Sequence, residues 1–484
     1  MDINNMDNVR ICTSLLVTLA AFTASSVGTA ASLLEVYQQA LQSDPLIHEA
    51  ESRRLAAQEA APQARGLLLP QIAAGGSWTQ NELSGVEVGT DNTGNFGSFG
   101  FETDSEDTAW NLALRQTIFR WDQVVNLKQA SKTVARSDMA YEAAQQDLMV
   151  RVVARYFAVL ATEDRLTSIH ADREAIARQL EQAKQRFEVG LIAITDVQES
   201  QAAFDQSVAA EIAAERDLAT TRELLREVTG EYVPELSAPA EDFPLLAPNP
   251  ADEETWIELA MEQNLELLAS RLDEQIARDE ISFRRTGHYP TVDLVASRSG
   301  FESDGDRSSG GGPFETADST RDGDTIGIEV TVPLFSGGRT SSAVREAVYL
   351  HRASQEQLQR VARETERATR DAYLGVLSEI SRVKALEQAV TSSRTALEAT
   401  QAGFDVGTRT IVDVLTSQRL LYQAITNYYD SRYVYIANVL RLKRAAGTLQ
   451  VQDLEQVDRW LRPRTPAEEA IGEDKASKEV EEPQ

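Results

Sequence analysis

Two stretches of this chain carry one local pattern at a near-constant separation. Phe187-Glu188-Val189-Gly190 recurs as Phe404-Asp405-Val406-Gly407, an offset of 217. Asp196 and Asp413 are also 217 apart, as are Gly230 and Gly447. Upstream, Ala40 and Ala260 differ by 220, as do Pro70 and Pro290, while Phe119 and Phe335 differ by 216. A period this long excludes a solenoid of small repeats. It predicts an internal two-fold duplication, so each element of one half needs a counterpart in the other.

The elements follow in the same order twice. A helix comes first, near 33–66 and 251–286. A proline then opens a strand pair, 70–82 with 108–120, and 289–301 with 324–336. A very long helix follows at 122–188 and 338–405, and a second helix closes each half at 195–229 and 411–446. The long helices carry coiled-coil spacing. Val376, Ile380, Val383, Val390, Leu397 and Phe404 step by 4, 3, 7, 7 and 7, and Leu415, Tyr422, Tyr429 and Ile436 step by sevens. Ile169, Ile176, Leu180, Ala183 and Phe187 step by 7, 4, 3 and 4. That is the seam of helices packed along their length. At 1.5 Å per residue such a helix is roughly 100 Å long, which implies a rod or tube.

The strands alternate. Ile326, Ile328, Val330, Val332 and Leu334 share one face, and Thr325, Gly327, Glu329 and Thr331 the other. Trp110, Leu112, Leu114 and Ile118 oppose Asn111, Ala113, Arg115 and Thr117, and Ile72, Ala74, Gly76 and Trp78 form a weaker run. Ten residues or so is the length of a tilted transmembrane strand. Rod-like helices offer no second layer to cover the apolar face, so the strands are expected to meet lipid. The segments Leu83–Asp107 and Glu302–Gly323, rich in Gly, Ser and Asp, read as exposed loops. Four strands cannot close a barrel, and open sheet edges are not tolerated in lipid. Several chains must therefore share one barrel. The competing readings are a soluble dimeric coiled coil and a periplasmic structural coiled coil that conducts nothing.

The ends and the composition narrow the function. Ile11 to Phe22 is an apolar run followed by Gly28-Thr29-Ala30, which reads as a signal peptide cut near Ala30 or Ala31. No later stretch is apolar enough to span as a helix. Lys and Arg number 47 against 76 Asp and Glu, a net charge of −29, which argues against a nucleic-acid partner. The single cysteine is Cys12, and the four histidines lie far apart, so no disulfide, Cys-based zinc site or H-x-x-x-H metal spacing exists. No nucleophile–base pair or phosphate loop is visible either. The chain reads as no enzyme, with no cofactor.

Gly190 and Gly407 suit the left-handed position just past a helix. Thr195 with Gln198, and Thr410 with Asp413, fit side-chain caps for the helices that follow. At these turns the chain resembles a family. Phe187-Glu188-Val189-Gly190-Leu191-Ile192-Ala193-Ile194-Thr195-Asp196-Val197 looks like the first hairpin tip of TolC-like outer-membrane efflux proteins, and Val406-Gly407-Thr408-Arg409-Thr410-Ile411-Val412-Asp413-Val414-Leu415 like the second. The resemblance runs from about Ser32 to Leu454, through Leu69-Pro70-Gln71 and Leu334-Phe335-Ser336-Gly337-Gly338-Arg339.

The resemblance implies a fold that is mainly α with transmembrane β: long coiled-coil hairpins plus four strands per chain in a 12-stranded barrel shared by a homotrimer. It implies an outer-membrane channel-tunnel extending into the periplasm, serving tripartite efflux or type I secretion, with a dedicated protein-secretion duct as the alternative. The implied partners are a periplasmic adaptor, an inner-membrane pump and outer-membrane lipid. Residue by residue, Asp196 and Arg409 match a gating pair. Phe404 stands where the family archetype has a tyrosine. Asp413 matches an acidic constriction ring and a candidate cation site, with Thr416 in place of a second acid. Gly190, Leu191, Gly407 and Thr408 match the tips that meet the adaptor. The division is then a signal peptide over 1–31, a first repeat over 32–230, a Pro-rich linker over 231–250, a second repeat over 251–447, a short equatorial segment over 448–461 and an acidic disordered tail over 462–484.

Overall fold

A computed structural model describes residues 30–90, 96–309, 315–316 and 318–463. The leader expected over 1–31 lies outside these residues except for Ala30 and Ala31, and so does the tail from 464 onward.

The first expected helix is three. Ser32 caps α1 (Leu33–Ser43) in a capping box with Glu35. Asp44 caps α2 (Pro45–Gln58), and α3 (Ala60–Gly66) follows. Pro45 has no N–H and suits only a first turn, so it begins a helix where the periodicity alone ran through. Strands β1 (Gln71–Thr90) and β2 (Phe96–Phe119) come next. Then α4 runs 68 residues, Trp121–Glu188, and turns back into α5 (Ile194–Thr229). The linker holds the two-residue β3 (Ala238–Pro239). In the second half α6 (Glu253–Gln263) breaks at Asn264, whose side chain caps α7 (Leu265–Arg285). A short 3-10 turn, Thr286–His288, leads to β4 (Thr291–Ser309), β5 (Glu315–Thr316) and β6 (Ser319–Thr331). The 67-residue α8 (Arg339–Asp405), α9 (Ile411–Ala445), α10 (Val451–Asp458) and β7 (Leu461–Arg462) complete the chain.

The sheet has the path β1-β2-β4-β6, all antiparallel, with β5 beside the far end of β4. Much of the expected loop Leu83–Asp107 is strand: the β1–β2 ladder continues to Thr90 opposite Phe96. Strand likewise fills much of Glu302–Gly323, where β4 reaches Ser309 and β6 starts at Ser319. Polar, glycine-rich composition does not forbid a ribbon whose backbone bonds are satisfied by its neighbour. At the other end β6 stops at Thr331, so Val332 and Leu334 lie beyond the strand.

The register settles the faces. Leu114 pairs with Ala296, and Ala296 with Ile326, so they share one side. On it Ile72, Trp78, Ile326 and Ile328 stand open, each over 60% exposed. The opposite face is polar: Arg115 of β2 pairs with Asp293 of β4 and Glu329 of β6, both at 3.0 Å. The sheet turns an uncovered apolar band one way and a bonded charge network the other.

The largest core lies at mid-length. Leu33, Val36, Leu148, Val152, Tyr156, Phe157, Ile436, Leu440 and Leu454 are buried together. Here the described start of the chain, its middle and its far end meet. Ala31 bridges Leu236. The Tyr156 hydroxyl donates to the carbonyls of Ser237 (2.6 Å) and Ala31 (3.1 Å). The Leu33 N–H donates to Asp458 at 2.8 Å, and β3 pairs with β7. The linker expected to lack regular structure is thus pinned around 236–239 and again at Leu246, whose N–H donates to the Tyr435 hydroxyl at 2.8 Å, and Arg462, assigned to the tail, is paired with Ala238.

Candidate functional site

The site is the pair of hairpin tips, α4/α5 and α8/α9. Both turns close alike. The N–H of Leu191 donates to Arg186 O at 2.8 Å and that of Gly190 to Phe187 O at 2.9 Å. At the second tip Thr408 donates to Gly403 O at 2.8 Å and Gly407 to Phe404 O at 3.0 Å. Gly190 and Gly407 have φ of +76° and +77°. This paired set of bonds is the Schellman motif. Gly190, Leu191, Gly407 and Thr408 all stand exposed at the extremity, Leu191 at 73%.

The helices that follow start differently. Thr410 caps α9: its hydroxyl oxygen accepts from the Asp413 N–H at 3.3 Å, and Asp413 Oδ2 accepts from the Thr410 N–H and hydroxyl, both at 2.9 Å. These bonds, the backbone one foremost, hold the Asp413 carboxyl below its usual range. At the first tip the cap is not Thr195. α5 begins one residue earlier and its cap is Ala193, which has no side-chain acceptor. Ala193 stands 217 residues before Thr410, so the register repeats while the capping chemistry does not.

The expected gate residues are placed as follows. Asp196 sits in the first turn of α5 and Arg409 in the second turn region, exposed. Among the described residues of one chain these two form no ion pair. The Arg409 stem lies over Gly403, where an added Cβ would come within 2.8 Å of its Cγ. Asp413 is half-buried and Thr416, three residues on, is exposed; both lie on one helical face. The Phe404 side chain has no group that can hydrogen-bond. Its ring lies under the Arg186 guanidinium, 4.8 Å from ring centroid to Cζ, and Arg186 Nη2 meets Asp405 Oδ1 at 3.1 Å.

Arg186 and Asp405 escaped the sequence reading, yet a signal was present. Asp405 is the last residue of α8, where the macrodipole disfavours an anion by about 0.3–1 kcal/mol, and α8 has no basic residue in its last turn. Above the tips, the hairpins are joined by buried polar links. Gln418 of α9 donates to the backbone O and Oδ1 of Asp172 on α4, at 3.2 and 2.7 Å, and burial raises the Asp172 carboxyl. The Tyr433 hydroxyl donates to Asp164, and its ring stacks on Phe157.

Comparison with known proteins bears on this architecture. The family model described as outer membrane efflux protein matches residues 36–231 and 256–448. The chain is 37% identical over 452 residues to the outer membrane protein TolC of Vibrio cholerae serotype O1, covering 93% of this chain and 98% of that one. It is 30% identical to the alkaline protease secretion protein AprF of Pseudomonas aeruginosa, covering 88% and 87%. The Campylobacter jejuni CmeC outer membrane channel superposes with a TM-score of 0.68 at 15% identity, over 95% of this chain and 98% of that chain. The chain therefore belongs to the outer membrane efflux protein family, and is an outer-membrane channel of the kind that serves efflux or type I secretion.

Proposed function

We propose that three copies of this chain form a passive exit duct with no chemistry of its own. Each contributes β1, β2, β4 and β6 to a shared 12-stranded barrel, and the long hairpins continue it as a tunnel through the periplasm. The observation that carries this reading is the sheet: an apolar band open on one face, a bonded polar face behind it, and two free edges. In lipid such edges must be paired, and a copy on each side pairs them. The identical turn bonds at Gly190 and Gly407 support the duplication, with repeats over 32–230 and 251–447 joined by 231–250.

The tips form the periplasmic entrance in this reading. Gly190, Leu191, Gly407 and Thr408 meet an adaptor protein, which links the duct to an inner-membrane pump. Asp196, Phe404 and Arg409 line the gate, and Asp413 with Thr416 the constriction, where three Asp413 carboxylates around one axis attract a cation. AprF is named for protease secretion, which makes export of a protein a second substrate class beside small molecules.

Mass measurement in detergent tests the assembly: a trimer is expected, and a stable monomer with intact strands overturns it. Planar-bilayer recording tests the gate. Arg409→Ser and Asp196→Ala raise the conductance of the isolated channel if these residues hold it shut. Asp413→Ala nearly abolishes block by divalent cations from the periplasmic side, and Thr416→Asp tightens it. Wild-type conductance in Arg409→Ser and undiminished block in Asp413→Ala would remove the gate assignment.

A further inference from the structure

We infer that Arg186 is the positioning residue that holds the second hairpin tip against the first, with Asp405 and Phe404 as its seat. The inference rests on the tips being the entrance. Three observations converge on it. Asp405 places an anion at the end of α8 whose carbonyls already carry partial negative charge, so the acid needs a cation from outside its own helix, and Arg186 of α4 supplies one at 3.1 Å. The same guanidinium covers the Phe404 ring at 4.8 Å, an arrangement that fixes its plane as well as its charge. A tyrosine hydroxyl is unnecessary for this contact, because the ring face does the holding.

The backbone on both sides is fixed. Arg186 and Gly403 are the residues whose carbonyls accept the long turn bonds at the two tips, so the side-chain clasp joins two locked turns. It also has no mirror image. The position 217 residues after Arg186 is Gly403, which cannot reach back. Phe187 and Glu188, the counterparts of Phe404 and Asp405, have no such cover: Phe187 is 41% exposed, and Glu188 makes no ion pair among the described residues. The clasp is therefore directional, from the first hairpin to the second. The second hairpin is the one that carries Arg409, Asp413 and Thr416, so its position sets the aperture. Release of Arg186 frees that hairpin to swing about the Asp172–Gln418 and Asp164–Tyr433 links above it.

The test uses the full-length channel in planar bilayers with Arg186→Glu, Asp405→Arg and the double exchange. Three symmetry-related exposed pairs shift a shared opening equilibrium by roughly threefold to a hundredfold. Each single variant is expected to raise conductance within that range, and the exchange to restore it to near the wild-type level. Raising the salt is expected to open the wild type and not the single variants. An independent arm replaces both residues by cysteine and scores, on a denaturing gel, the cross-link made within one chain by a bis-maleimide long enough to stand in for the two side chains, a gap that a disulfide does not span. A cross-link that forms while the single variants conduct like wild type overturns the holding role and leaves the entrance reading intact. Failure of the cross-link in a folded trimer overturns the clasp itself. Silence of Arg409→Ser as well would instead condemn the entrance reading on which both depend.

Discussion

The two hairpin tips share a backbone and many side chains, and differ at the few positions that decide how each is held. Both end a long helix with a left-handed glycine and the same pair of turn bonds. Beyond that, the first tip presents Ala193 where the second presents Thr410, Ile192 where the second presents Arg409, and Arg186 where the second presents Gly403. The first tip also has a small core of its own, Leu180, Ala183 and Val197 with Ile192 and Phe204 packed on it. The second buries Ile411 and Val414 at the start of α9 and adds polar bonds: the Thr410–Asp413 box and the reach of Arg186. A duplicated scaffold thus yields one tip stabilised by packing and one whose packing is supplemented by contacts that charge, salt and pH can undo.

The largest predicted contrast comes from the glycines. Gly190→Val and Gly407→Val each force a β-branched residue into φ > 0, at about 1–2 kcal/mol or more. Trimer yield in detergent should change little in either. Export should fall in both, but channel conductance should rise mainly in Gly407→Val, because only there does the turn carry the seat for Arg186. Equal conductance in the two would erase the contrast.

A subtler change is Gly403→Ala. The new methyl group would stand 2.8 Å from Arg409 Cγ, so the Arg409 side chain must move while the helix gains a better helix former. The prediction is raised conductance with thermal stability unchanged or slightly higher. Its counterpart, Arg186→Ala, should raise conductance without that gain.

Capping sharpens the comparison further. Thr410→Ala should destabilise the start of α9 by about 0.5–2 kcal/mol, seen as faster amide exchange over 410–414. Thr195→Ala should leave exchange at the start of α5 unaltered, since Thr195 is no cap. The smallest effect is in pH. The Asp413 carboxyl is held below its ordinary value by the Thr410 bonds. Its contribution is therefore complete above the unfolded value of about 4 and is lost as pH falls through the lower folded one. Acidification below about pH 4 should fray the second tip before the first; amide exchange at the two turns, read side by side, checks the order, and the reverse order would overturn it.

Much of this was legible in the residues. The long helices, their seams and the helix-ending glycines follow from spacing and from φ > 0 chemistry, which are local. The Thr410–Asp413 box is local too. What escaped was of two kinds. Strand continues over Leu83–Thr90 and Phe96–Asp107 because partner bonds, not composition, decide whether a polar ribbon persists. Pro45 and Asn264 split helices whose apolar period was uninterrupted. At the site, Arg186 and Asp405 lie 219 residues apart, and only the fold brings them together. The acid against the dipole at the end of α8 was the one trace of that contact in the sequence.

The waist of the molecule bears on how such a chain can be made. Leu33 is bonded to Asp458 across 425 residues, and Ala31, Leu236 and Ser237 share the same knot with β3 and β7. Contacts this distant in sequence close late and slowly. A polypeptide delivered from its N-terminus would present the first hairpin long before α10 and β7 arrive to fasten it. Until the last stretch emerges, the core around Tyr156 lacks one wall, and its apolar surface stands open to any passing holdase. Completion of the fold is thereby tied to completion of delivery, and a chain truncated ahead of Asp458 should be recognised as unfinished however well its helices have formed.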